Sequence, residues 1–173
     1  MHITLTELDA GDRDALTEFL VHKGPWPFHA RPRPTVEQIH QAWDAGAYTS
    51  ESDRTFWLEY AGRRIGLCGF ADLTDDTPIL DLRLANDERG HGLGTGALRA
   101  ATAWVFNEIA TARRFEGTAR VDNLAMRRTF ERCGFVREAY YREGWPSADA
   151  TYDAVGYAIL RTDWESGTTT PVP

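Results

Sequence analysis

The sequence predicts an α/β protein with a mixed, mostly antiparallel central sheet of about seven strands flanked by about four helices. Several short segments alternate apolar and polar residues, which is the period of a half-buried strand. Other segments repeat apolar residues every three or four positions, which is the period of an amphipathic helix. A glycine-rich turn joins one alternating segment to one such helix, so a central β-α-β unit is expected within the sheet.

The first third of the chain predicts one strand and two helices with a loop between the helices. Residues 3–8 alternate in polarity and form the strand. Residues 23–34 contain four of the eight prolines, a density that neither a helix nor an inner strand tolerates. Thr35 and Gln38 form a capping box that begins the second helix. The expected buried stripes are Leu16, Phe19 and Leu20 in the first helix, and Val36, Ile39 and Trp43 in the second.

The rest of the chain predicts a hairpin, a third antiparallel strand and then two strand–helix repeats. The hairpin spans residues 54–60 and 64–73, and the third strand carries Leu80, Leu82 and Leu84 on one face with Asp81 and Arg83 on the other. The later elements are a helix over 96–109, a strand over 115–121, a helix from Asn123 to Gly134, and strands over 135–141 and 151–161. We expect a single domain over 1–165 and a flexible C-terminal tail over 166–173.

Composition and charge restrict the class of protein. The chain has 173 residues, 42% of them apolar, and a formal net charge of −7, which argues against a nucleic-acid partner. Cys68 and Cys133 lie in apolar stretches outside any zinc-binding pattern, so reduced thiols and no metal are expected. The start of the chain lacks the blocks of a signal peptide, and no apolar run approaches the ~20 residues that cross a membrane. A cytoplasmic protein without a membrane partner is the expectation.

The turn from Arg89 to Gly96 is the most informative segment. Four of its last seven residues are glycines, so backbone amides can approach a ligand without side chains between them. The helix that follows adds about half a positive charge at its N-terminus. This combination is typical of a site for phosphate groups.

Two nucleotide-binding patterns compete for this turn. A P-loop requires Gly-Lys-Ser/Thr at its end, whereas Gly96 is followed by Ala97. The dinucleotide fingerprint is met by Gly92, Gly94 and Ala97, but it normally opens a series of parallel units rather than following an antiparallel hairpin. A nicotinamide-dependent oxidoreductase is therefore an alternative.

A third pattern, Gln/Arg-x-x-Gly-x-Gly/Ala, is matched by residues 89–94, and here the chain resembles the GNAT superfamily of N-acetyltransferases. Asn123, Gly134-Phe135, Tyr152-Asp153 and Asp163-Trp164 make it similar to the RimJ/RimL-type branch, the ribosomal-protein N-terminal acetyltransferases and their relatives. The resemblance implies acetyl-CoA as co-substrate, with its pyrophosphate at the turn and its pantetheine arm beside the preceding strand through a bulge.

The resemblance also implies a set of acetyl-CoA-binding residues. They are Leu82, Arg83, Leu84, Arg89, Gly90, His91, Gly92, Leu93, Gly94, Thr95, Gly96, Asn123, Met126 and Phe130. Two positions depart from the family. Phe130 stands where many members have the tyrosine that acts as general acid, and Met126 stands where the branch often has serine.

An acceptor amine must lose a proton before it attacks a thioester, because alkyl amines have pKa values near ~10. Glu116 and Asp81 are the candidate bases, although a structural ion pair is an alternative for each, and Tyr141 is a candidate proton donor. The expected acceptor-binding residues are Trp26, Phe28 and His29 on the proline-rich loop, and Trp145 opposite them.

The expected function is direct acetyl transfer to a primary amine of a small molecule or a peptide N-terminus, by a monomer or a homodimer. A non-catalytic acyl-CoA-binding regulatory module is the alternative, since the usual proton donors are replaced.

Overall fold

The computed structural model describes residues 2–147 and 150–172, which form one seven-stranded sheet with helices against both of its faces. The strands are β1 (Thr4–Glu7), β2 (Arg54–Tyr60), β3 (Arg63–Ala71), β4 (Ile79–Leu84), β5 (Arg114–Arg120), β6 (Val136–Pro146) and β7 (Thr151–Leu160). The helices are α1 (Arg13–His22), α2 (Val36–Asp44), α3 (Leu93–Glu108), α4 (Leu124–Arg132) and α5 (Arg161–Ser166). Among these described residues no helix combines the length and apolarity needed to cross a membrane.

One parallel junction interrupts an otherwise antiparallel sheet. The strand order is β1-β2-β3-β4-β5-β7-β6, and only β4 and β5 run parallel, joined through α3. Their ladder has a single register pair, Ile79 with Glu116, and the strands diverge beyond it. The β5-facing edge of β4 is therefore without a strand partner over most of its length. The ladder between β3 and β4 runs without a register shift, so the bulge implied for β4 is not found in it.

Alternation along the strands produces two cores on opposite faces. Phe56 and Leu58 pack with Leu98 of α3 and Phe130 of α4 in the larger cluster. Trp57, which lies between them in β2, belongs to the second cluster under α1 and α2. The same alternation places the three leucines of β4 against the larger cluster, so the polar side chains of β4 face the side of α1 and α2.

The predicted elements are confirmed, with changes at their ends. Helix α3 begins at Leu93 rather than at residue 96, because Gly92 adopts a left-handed φ of 78° and serves as the N-cap. Strand β6 continues to Pro146, beyond the predicted end at 141. A fifth, short helix follows β7 from Arg161, where the sequence predicted only the end of a strand.

One predicted core position is wrong, and two capping signals are confirmed. Val36 is 49% exposed, so Ile39 rather than Val36 anchors α2 in the second cluster. Thr35 and Gln38 form the predicted capping box of α2. Gly134 follows α4 with a φ of 84°, as a glycine that ends a helix does.

Candidate active site

A cavity of about 440 Å³, hereafter the larger cavity, lies between the end of β4, the N-terminus of α3 and helix α4. Most of the predicted acetyl-CoA-binding residues line it, namely Leu82, Arg83, Leu84, Arg89, Gly90, Gly92, Leu93, Gly94, Thr95, Asn123 and Met126. Three do not line it. His91 is exposed on the turn, Gly96 lies within α3, and Phe130 lines a neighbouring cavity instead.

The glycine turn presents open space above free backbone amides. Gly90 and Gly92 have φ angles of 80° and 78°, and a Cβ built on either would meet no atom within 4 Å. Gly92 offers no side chain to cap α3, so the first-turn amides of that helix keep their hydrogen-bonding capacity. The space that a side chain would fill therefore suits an anionic group, and the pyrophosphate of CoA fits this donor set.

Arg89 holds the site together from within the protein. Its Nε donates to the Leu84 carbonyl at 2.9 Å, and its Nη2 donates to the Pro25 carbonyl at 2.7 Å. Its guanidinium also lies 5.4 Å from the ring centre of Trp26. Arg89 thus lines the larger cavity, but its donors fasten β4 and the proline-rich loop to the turn.

Helix α4 forms the opposite wall of the larger cavity. The Asn123 side chain caps the helix by accepting from the Met126 amide at 3.1 Å, and both residues line the cavity. Arg128 and Arg132 also line it, and neither guanidinium has an ion-pair or hydrogen-bond partner within the residues that the structure describes. These two arginines are not among the residues predicted from the sequence. Their spacing of four along a predicted helix was the available signal, because it places both on one face.

A second cavity of about 250 Å³, hereafter the smaller cavity, adjoins the first. Six residues line both cavities: Phe28, His29, Leu82, Arg83, Asn123 and Met126. Asp81, Thr118, Phe130 and Trp145 line only the smaller of the two. The proline-rich loop therefore contributes to both, and β6 contributes Trp145.

The predicted acceptor-binding residues are brought to these cavities, in unequal ways. Phe28, His29 and Trp145 line the smaller cavity, and the buried indole Nε1 of Trp145 has no hydrogen-bond partner among the residues that the structure describes. Trp26 lines the larger cavity but is 1% exposed, and its Nε1 donates to the Leu20 carbonyl at 2.8 Å. Trp26 is therefore mainly a core residue that fixes the loop.

Three ionisable side chains meet at the smaller cavity. Arg83 donates to both oxygens of Asp81, at 3.2 and 2.8 Å, and Nδ1 of His29 lies 3.4 Å from Asp81 Oδ1. Desolvation in the cleft would raise the pKa of Asp81, whose side chain is 46% exposed, but the positive charge and hydrogen bonds of Arg83, helped by His29, hold that pKa well below its usual range. Burial lowers the pKa of His29 to about 4, with Arg83 and Arg89 in support and Asp81 in opposition.

Two predicted catalytic residues lie apart from this group. Glu116 accepts from Arg114 at 2.9 Å, and the same arginine binds Glu138, so Glu116 belongs to an ion-pair network at the closed end of the β4–β5 junction. Tyr141 is 48% exposed on β6. Neither is among the residues that line the two cavities.

Comparison with known proteins identifies the family of the chain. A family model for an acetyltransferase (GNAT) domain matches residues 2–136. A Bacillus subtilis (strain 168) protein named "Putative ribosomal N-acetyltransferase YdaF" is 25% identical over 174 residues, covering 95% of this chain and 94% of that protein.

Two solved structures share the fold at lower identity. Spermidine N-acetyltransferase from Vibrio cholerae, in complex with CoA and spermine, superposes with a TM-score of 0.81 at 18% identity, covering 95% of this chain and 98% of that one. AAC(6')-Ib in complex with ribostamycin and coenzyme A gives a TM-score of 0.78 at 22% identity, covering 95% and 97%. Because the family match spans most of the chain, the oxidoreductase alternative is wrong, and the chain belongs to the GNAT family of N-acetyltransferases.

Proposed function

We propose that this enzyme transfers an acetyl group from acetyl-CoA directly to a primary amine at the junction of the two cavities. The observation that carries the proposal is that six residues line both cavities, so a donor in one would meet an acceptor in the other. The glycine turn lines only the larger cavity, whereas His29 and Arg83 line both cavities and Asp81 lines the smaller of the two. Direct transfer needs only that the two reacting groups be held together, since proximity itself lowers the barrier.

Acetyl-CoA would supply an activated acyl thioester, and this chain's residues would hold and orient it. The amides from Gly90 to Thr95 would bind the pyrophosphate, with Arg128 and Arg132 beside them. The unpaired edge of β4 would run along the pantetheine arm and offer amides to the carbonyl oxygen as negative charge develops there. Asn123 would stand next to the thioester.

The acceptor would enter the smaller cavity between Phe28 and Trp145. Within the described part of the chain Nε1 of Trp145 has no partner, and this supports an acceptor that carries an oxygen near its amine, because an indole N–H that is buried without a partner is costly. Both a small molecule and a peptide N-terminus meet this condition. The resemblance to the RimJ/RimL-type branch and the relative named for ribosomal proteins support a peptide N-terminus as the first acceptor to test. We propose a single domain over 1–165 that acts in the cytoplasm as a monomer or homodimer.

The test is thiol release from acetyl-CoA, followed with an indicator dye, across N-terminal peptides, amino acids, polyamines and aminoglycosides. Release with one class and CoA binding by calorimetry are expected. Absence of CoA binding would overturn the proposal. CoA binding with no release across all four classes would also contradict it and favour the acyl-CoA-binding module.

A further inference from the structure

We propose that His29 is the general base that takes the proton from the acceptor amine, and that Asp81 is the positioning residue that orients its ring. This inference rests on the proposed function and assigns the proton transfer to a residue outside the family motif. It also changes the predicted role of Asp81, from base to orienting partner.

The position of His29 is the first argument. Its side chain is 19% exposed and lines both cavities, which is the place where donor and acceptor would meet. The loop around His29 is fixed by its main chain. The His29 amide donates to the Trp26 carbonyl at 3.1 Å, and the Trp26 amide donates to the Pro32 carbonyl at 2.8 Å. The ring also meets that of Trp26 edge to face, with 6.4 Å between centroids. A general base must be held at the reacting atoms, and this one is held from its backbone and its ring.

The orientation of the imidazole is the second argument. Nδ1 lies 3.4 Å from Oδ1 of Asp81, so the carboxylate favours the tautomer that carries its proton on Nδ1. Nε2 then keeps its lone pair. Within the described residues Nε2 has no hydrogen-bond partner, which leaves it available to an acceptor amine.

The competing groups are the third argument. Asp81 accepts one hydrogen bond from Arg83 on each carboxylate oxygen, and it lines only the smaller of the two cavities. Glu116 is paired with Arg114 and lines neither cavity, and the exposed Tyr141 lines neither. His29 is faced by Asp81 and Arg83 from β4 and by Arg89 from the turn. Burial with these cations lowers its pKa and keeps it neutral at physiological pH, as a base must be.

With His29 as the base, every proton that moves in the acetyl transfer has a donor and an acceptor. The ammonium first loses one proton to water, and the neutral nitrogen then forms the C–N bond. Nε2 of His29 takes the second proton from that nitrogen, which bond formation has made acidic. The C–S bond breaks with its electron pair on sulfur, and His29 returns its proton to the thiolate. No other proton donor is required, which accounts for phenylalanine and methionine at the two usual donor positions.

The activity test compares His29→Gln, His29→Ala and Asp81→Asn, with the exposed His22→Gln as matched control, using the best amine of the acceptor panel. His29→Gln should lower kcat by about 100-fold, because general-base catalysis contributes roughly 10²–10⁴. CoA affinity should stay within twofold, and added imidazole should restore part of the activity of His29→Ala. A kcat for His29→Gln within threefold of wild type would overturn the inference while leaving the proposed function intact.

A second readout needs no acceptor. Nitrogen NMR of the imidazoles should show His29 neutral and protonated on Nδ1 between pH 5.5 and 7.5, and Asp81→Asn should shift the tautomer towards Nε2–H. An Asp81→Asn variant that keeps both kcat and the wild-type tautomer would refute the positioning role. A His29 that is protonated at pH 7 would refute its role as base, whatever the panel shows.

Discussion

Replacing Gly92 with alanine tests whether the open space above the turn is a phosphate site. The backbone there has a φ of 78°, a conformation that costs an L-residue about 1–2 kcal/mol. For a domain of this size that cost lowers Tm by about 2–8 °C. The added methyl would also occupy space that is empty in the protein, where the pyrophosphate is proposed to lie.

The expected loss of affinity follows from the contacts displaced. One hydrogen bond to a charged group is worth about 1.5–3 kcal/mol, so pushing the phosphate off one amide should raise the Kd for CoA by about 10–150-fold. Calorimetry with CoA measures the affinity, and thermal unfolding measures the strain.

Gly62→Ala is the matched control for this experiment. Gly62 has a φ of 75° in the β2–β3 turn, and a Cβ there also meets nothing within 4 Å. Both variants should lose similar stability, but only Gly92→Ala should lose CoA. Equal loss of CoA affinity in the two variants, or a Kd for Gly92→Ala within twofold of wild type, would refute the assignment of the glycine turn as the phosphate site.

Three further predictions follow from the same geometry. The pKa of His29 is about 4 in the folded protein and 6.5 in its usual state, so the unfolded chain takes up a proton on His29 at higher pH than the folded chain does. The free energy of unfolding therefore falls as the pH drops from 6.5 towards 4. In urea unfolding, His29 should make the free energy of unfolding about 2 kcal/mol lower at pH 5 than at pH 7. The His29→Gln variant should lack this contribution to the pH dependence. In calorimetry, Arg128→Ala should weaken CoA binding by about fivefold and reduce the salt dependence of binding, because one exposed charge contact is worth up to about 1 kcal/mol. Arg137 is also exposed, and the control Arg137→Ala should change neither quantity. Gly117→Ala should lower unfolding free energy by about 1–3 kcal/mol in denaturant titration, because its Cβ would lie 2.7 Å from Cζ of the buried Phe130, and an unchanged Cm would contradict this packing.

Local signals in the sequence predicted the fold and most of the residues that line the larger cavity. The glycines of the turn, the apolar spacing of α3 and the alternation of β4 each act within a few residues, so a single sequence carries them. Element ends were less accurate, because the end of β6 depends on its pairing with β7 rather than on its own residues.

Tertiary contacts account for what the sequence did not predict. His29 and Asp81 meet only because the proline-rich loop folds back over β4, and no spacing in the sequence indicates that pair. Arg89 was expected at the ligand, whereas the structure shows its guanidinium bound to carbonyls of β4 and the loop. Glu116 was predicted as a base from its strand position, and the structure pairs it with Arg114, two residues earlier on the same face.

The anchoring of the proline-rich loop has a consequence for how this enzyme can diversify. The loop is fastened through main-chain carbonyls: Lys23 accepts from the Asn86 amide, Pro25 from Arg89 and Pro27 from Arg120. Carbonyls are supplied by every residue type, so these fastenings survive when the loop's side chains change. Substitutions at Phe28 and at the exposed Ala30 can therefore reshape the smaller cavity while the glycine turn stays in place. The scaffold should tolerate directed evolution toward new amines at little risk to folding or to use of the donor.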